Sequence, residues 1–412
     1  MTTTDVLVIG AGPAGSMAAL EAVRRNVDVI MLEDHPIVGD PNHCSGLITK
    51  KGIDKLNVPY PNSIIDNSIS SVSFWSPSNH KFTINRQKKS ELLVFQRNNL
   101  DRVFASYAEL KGVEIRLNSK VTKLIRRNGK ISGVRVKEKQ NRTYNINSKV
   151  VIDAEGSYAK FLPEAGLKPP NSSWRMPAMQ YELDNVPDFP REYCELYHGY
   201  QWAPGYFAWI IPACQDAVRI GLATWPRFNT SKLLKKFFTK HPIAKKWFKK
   251  AIITKKRGGV IAACGPISKT WAKGFLAVGD AAGQVKATTG GGVNIGGYCG
   301  RIAGVVAARN ITKNMPLENY DRKWKNEFYS ELKLMEFIRK TLSGFSDKTL
   351  DVLFNSASKS FISKKLQNTK DVDLHGYDLI LAAFTPKLIK AGLSTSPDVL
   401  INIIKTLSRK NQ

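Results

Sequence analysis

The first apolar run, residues 5–9, is short and rich in β-branched side chains, the pattern of a strand buried on both faces. A glycine loop follows, then good helix formers from 14 to 25, then a second apolar run over 27–32 that ends in Glu33. Together these make a complete βαβ unit. Downstream, the pattern predicts strands at 71–75, 81–84 and 92–94, and a helix that opens at 96–101 and runs to about 111. Residues 113–117, 119–127 and 131–138 read as a strand and a hairpin turned at Asn128-Gly129, and 149–153 as another buried strand. From 169 to 257 the texture changes to alternating, aromatic-rich segments at 179–183, 194–197, 206–211 and 217–223, which is antiparallel sheet. The buried-strand style returns at 274–280, followed by Gly290-Gly291-Gly292 and a helix of small residues over 293–309. From Pro316 onward the periodicity is helical, with apolar stripes such as Leu379, Ile380, Ala383 and Phe384.

The predicted fold class is therefore α/β (α+β overall). A Rossmann-like dinucleotide domain (1–66, 91–168 and 258–310) is interrupted by an antiparallel-sheet substrate domain (67–90 and 169–257). A helical C-terminal region (311–412) follows. In the loop after the first strand, Gly10 permits the tight turn, Gly12 lets a pyrophosphate approach the backbone, and Gly15 lets helix pack on strand. Phosphate oxygens would meet free N–H groups at the positive end of the helix. Glu33 stands where a carboxylate accepts from a ribose and repels a 2′-phosphate, so NADP fits poorly. The second glycine segment, Gly279-Asp280-Ala281-Ala282-Gly283, also follows an apolar run. Two such segments in this order imply one large cofactor held at both ends, which is FAD.

Length alone implies two or three domains with sizeable cores. No apolar stretch is long enough to span a membrane, and the chain enters a strand at once, leaving no room for a signal or transit peptide. The five cysteines are widely spaced, with no Cys-x-x-Cys, so neither a zinc or other metal site nor a disulfide framework is expected; a reducing cytoplasm fits. The net charge of +28 implies attraction to a polyanionic surface. Its densest part, residues 229–257, holds eleven Lys or Arg and no acid. Within it Leu233, Leu234, Phe237 and Phe238 share a helical face, as do Ile243, Ala244, Trp247, Phe248 and Ala251. The expectation is that these aromatics pack on the protein's own sheet while the lysines meet an anionic membrane. No nucleic-acid-reading motif accompanies the charge, so nucleic acid is not expected as a partner.

The chain resembles the para-hydroxybenzoate hydroxylase-like flavoproteins and, within them, the geranylgeranyl reductases. By that resemblance Gly10, Gly12, Ala14, Gly15, Glu33 and Asp34 hold the ADP end of FAD, with Arg97 of Gln96-Arg97-x-x-Leu100-Asp101 near the pyrophosphate. Asp153-Ala154-Glu155-Gly156 stands where an Asp-Gly pair is usual. The resemblance adds Cys44, Gly46, Val121, Asp280, Gly292 and Val293 to the cofactor site, Asp280 toward the ribityl chain and 289–294 toward the isoalloxazine. Pro41-x-x-Cys44-x-Gly46 is similar to the reductases' cysteine loop, and Phe207-x-Trp209-x-Ile211-Pro212 to their substrate motif Tyr-x-Trp-x-Phe-Pro. This implies substrate contacts at Phe207, Trp209 and Pro212.

The implied activity is saturation of C=C bonds in the geranylgeranyl chains of an archaeal-type phospholipid or of geranylgeranyl pyrophosphate, peripherally at the membrane. Cys44 is the candidate acid, with His43 as a neighbour able to lower its pKa; the alternative is an inert thiol beside an exposed histidine. A ferredoxin or another reduced carrier is an implied partner. The competing chemistries are a monooxygenase or a halogenase, whose Trp-x-Trp-x-Ile-Pro pattern 207–212 misses only at Phe207, and, less favoured, a non-catalytic membrane-docking flavoprotein. The sequence leaves open the electron donor, the number of bonds reduced and the oligomeric state.

Overall fold

A computed structural model describes residues 2–85, 92–139, 142–358 and 373. The first sheet has five parallel strands side by side: β18 (Phe275–Ala277), β11 (Thr143–Asp153), β1 (Thr2–Ile9), β2 (Val29–Leu32) and β8 (Glu114–Arg116). β17 (Trp271–Ala272) pairs antiparallel with β18 at the edge. The predicted hairpin, β9 (Ser119–Arg127) and β10 (Lys130–Glu138), joins β11, and its turn residues Asn128 and Gly129 both have positive φ. That is the backbone an Asn-Gly hairpin turn requires.

One face of this sheet carries α1 (Pro13–Val23), α3 (Arg97–Leu110) and α5 (Val293–Lys313). α5 brings the second glycine segment to the first because it has almost no side chain where it crosses α1. A Cβ on Gly300 would stand 2.1 Å from the Ala14 carbonyl oxygen, and one on Gly304 would stand 2.1 Å from that of Ala18. Glu21 on α1 then accepts from Arg24, Arg25 and, across the contact, Arg301 of α5. α2 (Lys50–Asp54) and α6 (Glu318–Trp324) also border α5.

The interrupting domain is a seven-stranded sheet in the order β16 (Ile252–Ala262), β12 (Arg175–Asp184), β15 (Val218–Ala223), β14 (Ala208–Pro212), β13 (Tyr193–Tyr197), β5 (Ser71–Trp75) and β6 (Lys81–Asn85). All neighbours are antiparallel except β13 and β5, which run parallel. A third small sheet, β3 (Leu47–Thr49), β7 (Leu92–Phe95) and β4 (Ile65–Ile69), links the two larger ones. β16 runs through the expected 257/258 boundary, bound to β12 along its length, so residues 258–262 are part of the seven-stranded sheet.

Side-chain alternation gives the seven-stranded sheet two faces. Ala208 and Ile210 point to α4 (Thr230–Lys240) and the short turn of helix at Ala244–Phe248, where Leu234, Phe237, Ala244 and Phe248 are buried. The aromatics of the basic segment are thus core, as expected. Phe207, Trp209 and Ile211 point the other way, toward α7 (Ser330–Gly344) and α8 (Asp347–Ser358). α8 is pinned to the sheet because Asp351 accepts from Ser78 N and Oγ and Asp347 accepts from Tyr200 N. The apolar stripe at 379–384 lies outside the described residues. No described helix is long and apolar enough to cross a membrane.

Candidate active site

Both glycine segments and the cavity-facing side of the seven-stranded sheet line one continuous cavity of about 2020 Å³. At one end are Gly10, Gly12 and Ala14 at the start of α1, with Glu33 and Asp34 after β2. Gly15 lies beneath: a Cβ there would stand 1.9 Å from the Gly10 carbonyl oxygen, so its hydrogen is what lets α1 close on β1. A Cβ on Gly12 would meet nothing within 4 Å, which leaves room for a ligand against the backbone. Glu33 Oε2 accepts from Ala11 N (3.0 Å) and Oε1 from His35 N (3.1 Å), fixing the carboxylate at the loop.

Arg97, at the first turn of α3, is buried and ion-paired with Asp101 one turn later, yet its Nε has no partner. Burial pulls its pKa down, but the charges of Asp101 and Asp280 outweigh that and hold it above the usual value. Asp280 lies within the second glycine segment, its carboxyl pKa pushed up by burial and restrained by the charge of Arg97. Asp153 Oδ2 and Asn294 Oδ1 are likewise buried without partners. Open backbone at Gly12 and the orphaned guanidinium nitrogen of Arg97, both on the wall of the cavity, fit an extended ligand carrying phosphates. Asp280, Gly292 and Val293 line the cavity at the second segment and Val121 at the first.

Cys44 lines the same cavity, half-buried, its N–H held by Asn42 Oδ1 (2.9 Å) and its Sγ accepting from Gly46 N (3.4 Å). Gly46 itself does not line the cavity. It has φ +83° and packs where a Cβ would stand 2.2 Å from the Phe95 carbonyl oxygen, so its role is to fold the cysteine loop. His43 also departs from expectation, for no hydrogen bond joins it to Cys44. Burial lowers its pKa, the Gly258 carbonyl opposes this, and the charges of Arg257 and His35 add to the lowering. The ring therefore belongs to β16 rather than to the thiol.

Phe207 and Trp209 line the cavity; Pro212 does not, because it has the parity of Ala208 and Ile210 and faces away. Trp209 donates from Nε1 to Gln180 Oε1 (3.1 Å) and lies across Gly221, where a Cβ would be 2.5 Å from its ring. Val72, Phe74, Leu196, Ile211, Phe345 and Phe354 extend this wall into an apolar channel. Sequence reasoning missed Arg219. From β15 it ion-pairs with buried Asp66 and donates to the carbonyls of Ser45 (2.6 Å) and Phe95 (3.0 Å), clamping the cysteine loop. A lone arginine inside the apolar run 218–223 was the available signal.

Residues 5–169 match the family model described as FAD dependent oxidoreductase, and residues 175–260 that of the geranylgeranyl reductase catalytic domain. The chain is 32% identical over 361 residues to a digeranylgeranylglycerophospholipid reductase of Methanocaldococcus jannaschii, covering 86% of this chain and 91% of the relative. The chain belongs to the geranylgeranyl reductase family. A second reductase of that description, from Methanococcoides burtonii, is 29% identical, with 94% of this chain and 92% of the relative covered. Among solved structures, a geranylgeranyl bacteriochlorophyll reductase-like protein of Thermoplasma acidophilum superposes with TM-score 0.84 at 25% identity, covering 98% of this chain and all of that one. A flavin-dependent brominase reaches TM-score 0.72 at 19% identity, which shows a shared fold alone. As a member of this reductase family the protein is a flavin-dependent oxidoreductase, and its cofactor is FAD.

Proposed function

We propose that the protein saturates C=C bonds in the geranylgeranyl chains of an archaeal-type membrane phospholipid, digeranylgeranylglycerophospholipid. The observation that carries this reading is the single cavity in which the dinucleotide-binding loops open directly into an apolar channel walled by β14, α7 and α8. A long hydrocarbon needs such a channel; a small aromatic substrate does not. FAD, when bound and reduced, supplies the hydride.

The chain's own residues do the rest. Gly10, Gly12, Ala14, Glu33, Asp34 and Arg97 hold the adenine and pyrophosphate end, and Asp280, Gly292 and Val293 the ring end. An isolated alkene is not electrophilic, so its second carbon must receive a proton from a positioned acid. Cys44 is that acid in this reading: it lines the cavity, and Arg219 fixes the loop beside it through the Ser45 carbonyl. Phe207 and Trp209 orient the chain.

The head group stays at an anionic membrane surface, held by the basic lobe. There Lys235, Lys240, Lys245, Lys246, Lys249 and Lys250 are exposed, with no carboxylate in ion-pair range among the described residues. Ile252 and Ile253, exposed by 60% and 38%, stand beside them. A ferredoxin or similar carrier docked on the same charge delivers electrons.

The test is to reduce the FAD-loaded protein anaerobically and add vesicles of digeranylgeranylglycerophospholipid. Reoxidation by lipid, with hydrogen gained in the product by mass spectrometry, is expected. Reoxidation only on admitting air, with an oxygenated or halogenated product, would replace this reading with a monooxygenase or halogenase.

A further inference from the structure

Arg339 is a buried cation with no counter-charge among the described residues. It is 3% exposed, lines the cavity from α7, and no carboxylate lies in ion-pair range of it among the described residues. Its fork is spent on backbone: Nε donates to the Ala287 carbonyl (3.2 Å) and Nη2 to that of Thr288. Its carbon Cζ stands 4.3 Å from the centre of the Tyr206 ring, and the Tyr206 hydroxyl reaches the same Ala287 carbonyl (3.4 Å). Both carbonyls belong to the loop that leads from the second glycine segment into α5. A second cation crosses that loop, for a Cβ on Gly291 would stand 2.7 Å from Lys286 Cε. Lys286 is neutralised: its Nζ meets Asp373 Oδ1 at 2.5 Å, while Asp373 Oδ2 accepts from Asn294 Nδ2 (2.9 Å) and from the Thr49 hydroxyl. Among the described residues, the 286–294 loop is thus backed by one balanced cation and one unbalanced one.

A buried charge that lacks a partner is costly unless something supplies the opposite charge, and it is weakly screened. At this loop the cofactor gains negative charge on reduction. We propose that Arg339 is a positioning residue that, acting through the carbonyls of Ala287 and Thr288 and alongside the Lys286–Asp373 pair, sets the reduction potential of the flavin. The inference rests on FAD lying against the 289–294 loop, and not on which lipid is reduced.

The two cations give opposite signs. Arg339→Gln removes the unbalanced positive charge and lowers the midpoint potential of the FAD-loaded enzyme. A tenfold loss of preference for reduced over oxidised flavin reads as about 30 mV for a two-electron couple. Arg339→Lys keeps the charge without the fork and stays nearer the parent value. Asp373→Asn frees the charge of Lys286 and raises the potential. Midpoints are measured by dye equilibration without lipid, after 450 nm absorbance shows that FAD is retained. A parent-like potential in FAD-loaded Arg339→Gln, or a shift of Asp373→Asn in the same direction as Arg339→Gln, overturns the proposal. Should Arg339→Gln fail to hold FAD, Asp373→Asn decides alone: an unchanged or lowered potential overturns it. Because no lipid is present, failure of the lipid-reoxidation experiment leaves this outcome readable, and intact lipid turnover cannot rescue it.

Discussion

Lowering the pH destabilises this protein through His198, and the effect can be sized. The imidazole is 9% exposed, walled by Phe74, Phe207 and Phe354 with ring centres 4.9–6.5 Å away, and its Nδ1 has no hydrogen-bond partner. Burial, reinforced by the charge of Arg339, pushes its pKa from 6.5 down to about 3. The folded value lies below the unfolded one, so above pH 6.5 neither state takes the proton and nothing is lost. As pH falls below 6.5 the unfolded chain is protonated first and folding weakens, until the folded ring also titrates near 3. At about 1.4 kcal/mol per pKa unit the full penalty approaches about 5 kcal/mol, of which about 2 kcal/mol has developed by about pH 5. His198→Phe removes the titration and the unpaired nitrogen while roughly keeping the ring volume, so it is close to neutral at about pH 7.5. Urea melts of parent and variant at about pH 7.5 and 5 measure the difference. The parent is expected to lose about 2 kcal/mol more than the variant between those conditions. Parallel losses would refute the reasoning and mean that the ring is hydrated or paired when folded.

Gly12→Ala and Gly15→Ala separate ligand contact from packing. Gly12→Ala folds with parent-like thermal stability in the FAD-free state but loses the 450 nm absorbance of bound flavin. Gly15→Ala forces a methyl onto the Gly10 carbonyl and melts lower by about 1–3 kcal/mol even without cofactor. Cys44→Ala retains FAD and loses about 100-fold or more in lipid turnover if the thiol is the acid; unchanged turnover with flavin bound removes it from the chemistry. Exchanging Lys245, Lys246, Lys249 and Lys250 for glutamate abolishes cosedimentation with anionic vesicles, since each lysine near such a surface contributes about 1 kcal/mol. Retained binding would place the docking face elsewhere.

What could be read in the sequence was what short-range pattern determines. The βαβ unit, the Asn128-Gly129 hairpin and the small-residue helix α5 each declare themselves within a few tens of residues, and all three are present. β16 did not declare itself: as an edge strand exposed over Ile252–Lys256, its first half has no buried face to impose alternation, and its lysines continue the texture of the preceding helix. The cavity-facing members of 207–212 follow from period two once the strand is placed, and the same rule sets Pro212 on the opposite face.

The residues that escaped sequence reasoning, Arg219, Arg339, Lys286 and Asp373, share one property. Each is a charge whose partner lies far away in the chain: Arg219 with Asp66 and Ser45, Arg339 with Ala287 and Thr288, Lys286 with Asp373. A charge inside an apolar run is costly to bury, so its presence signals a partner, but it cannot say which one. Here the partners are the cysteine loop and the second glycine loop. The buried charges of the substrate sheet and of α7 therefore hold in register the two loops that face the chemistry, loops that the glycine motifs locate in the chain but do not fix in space.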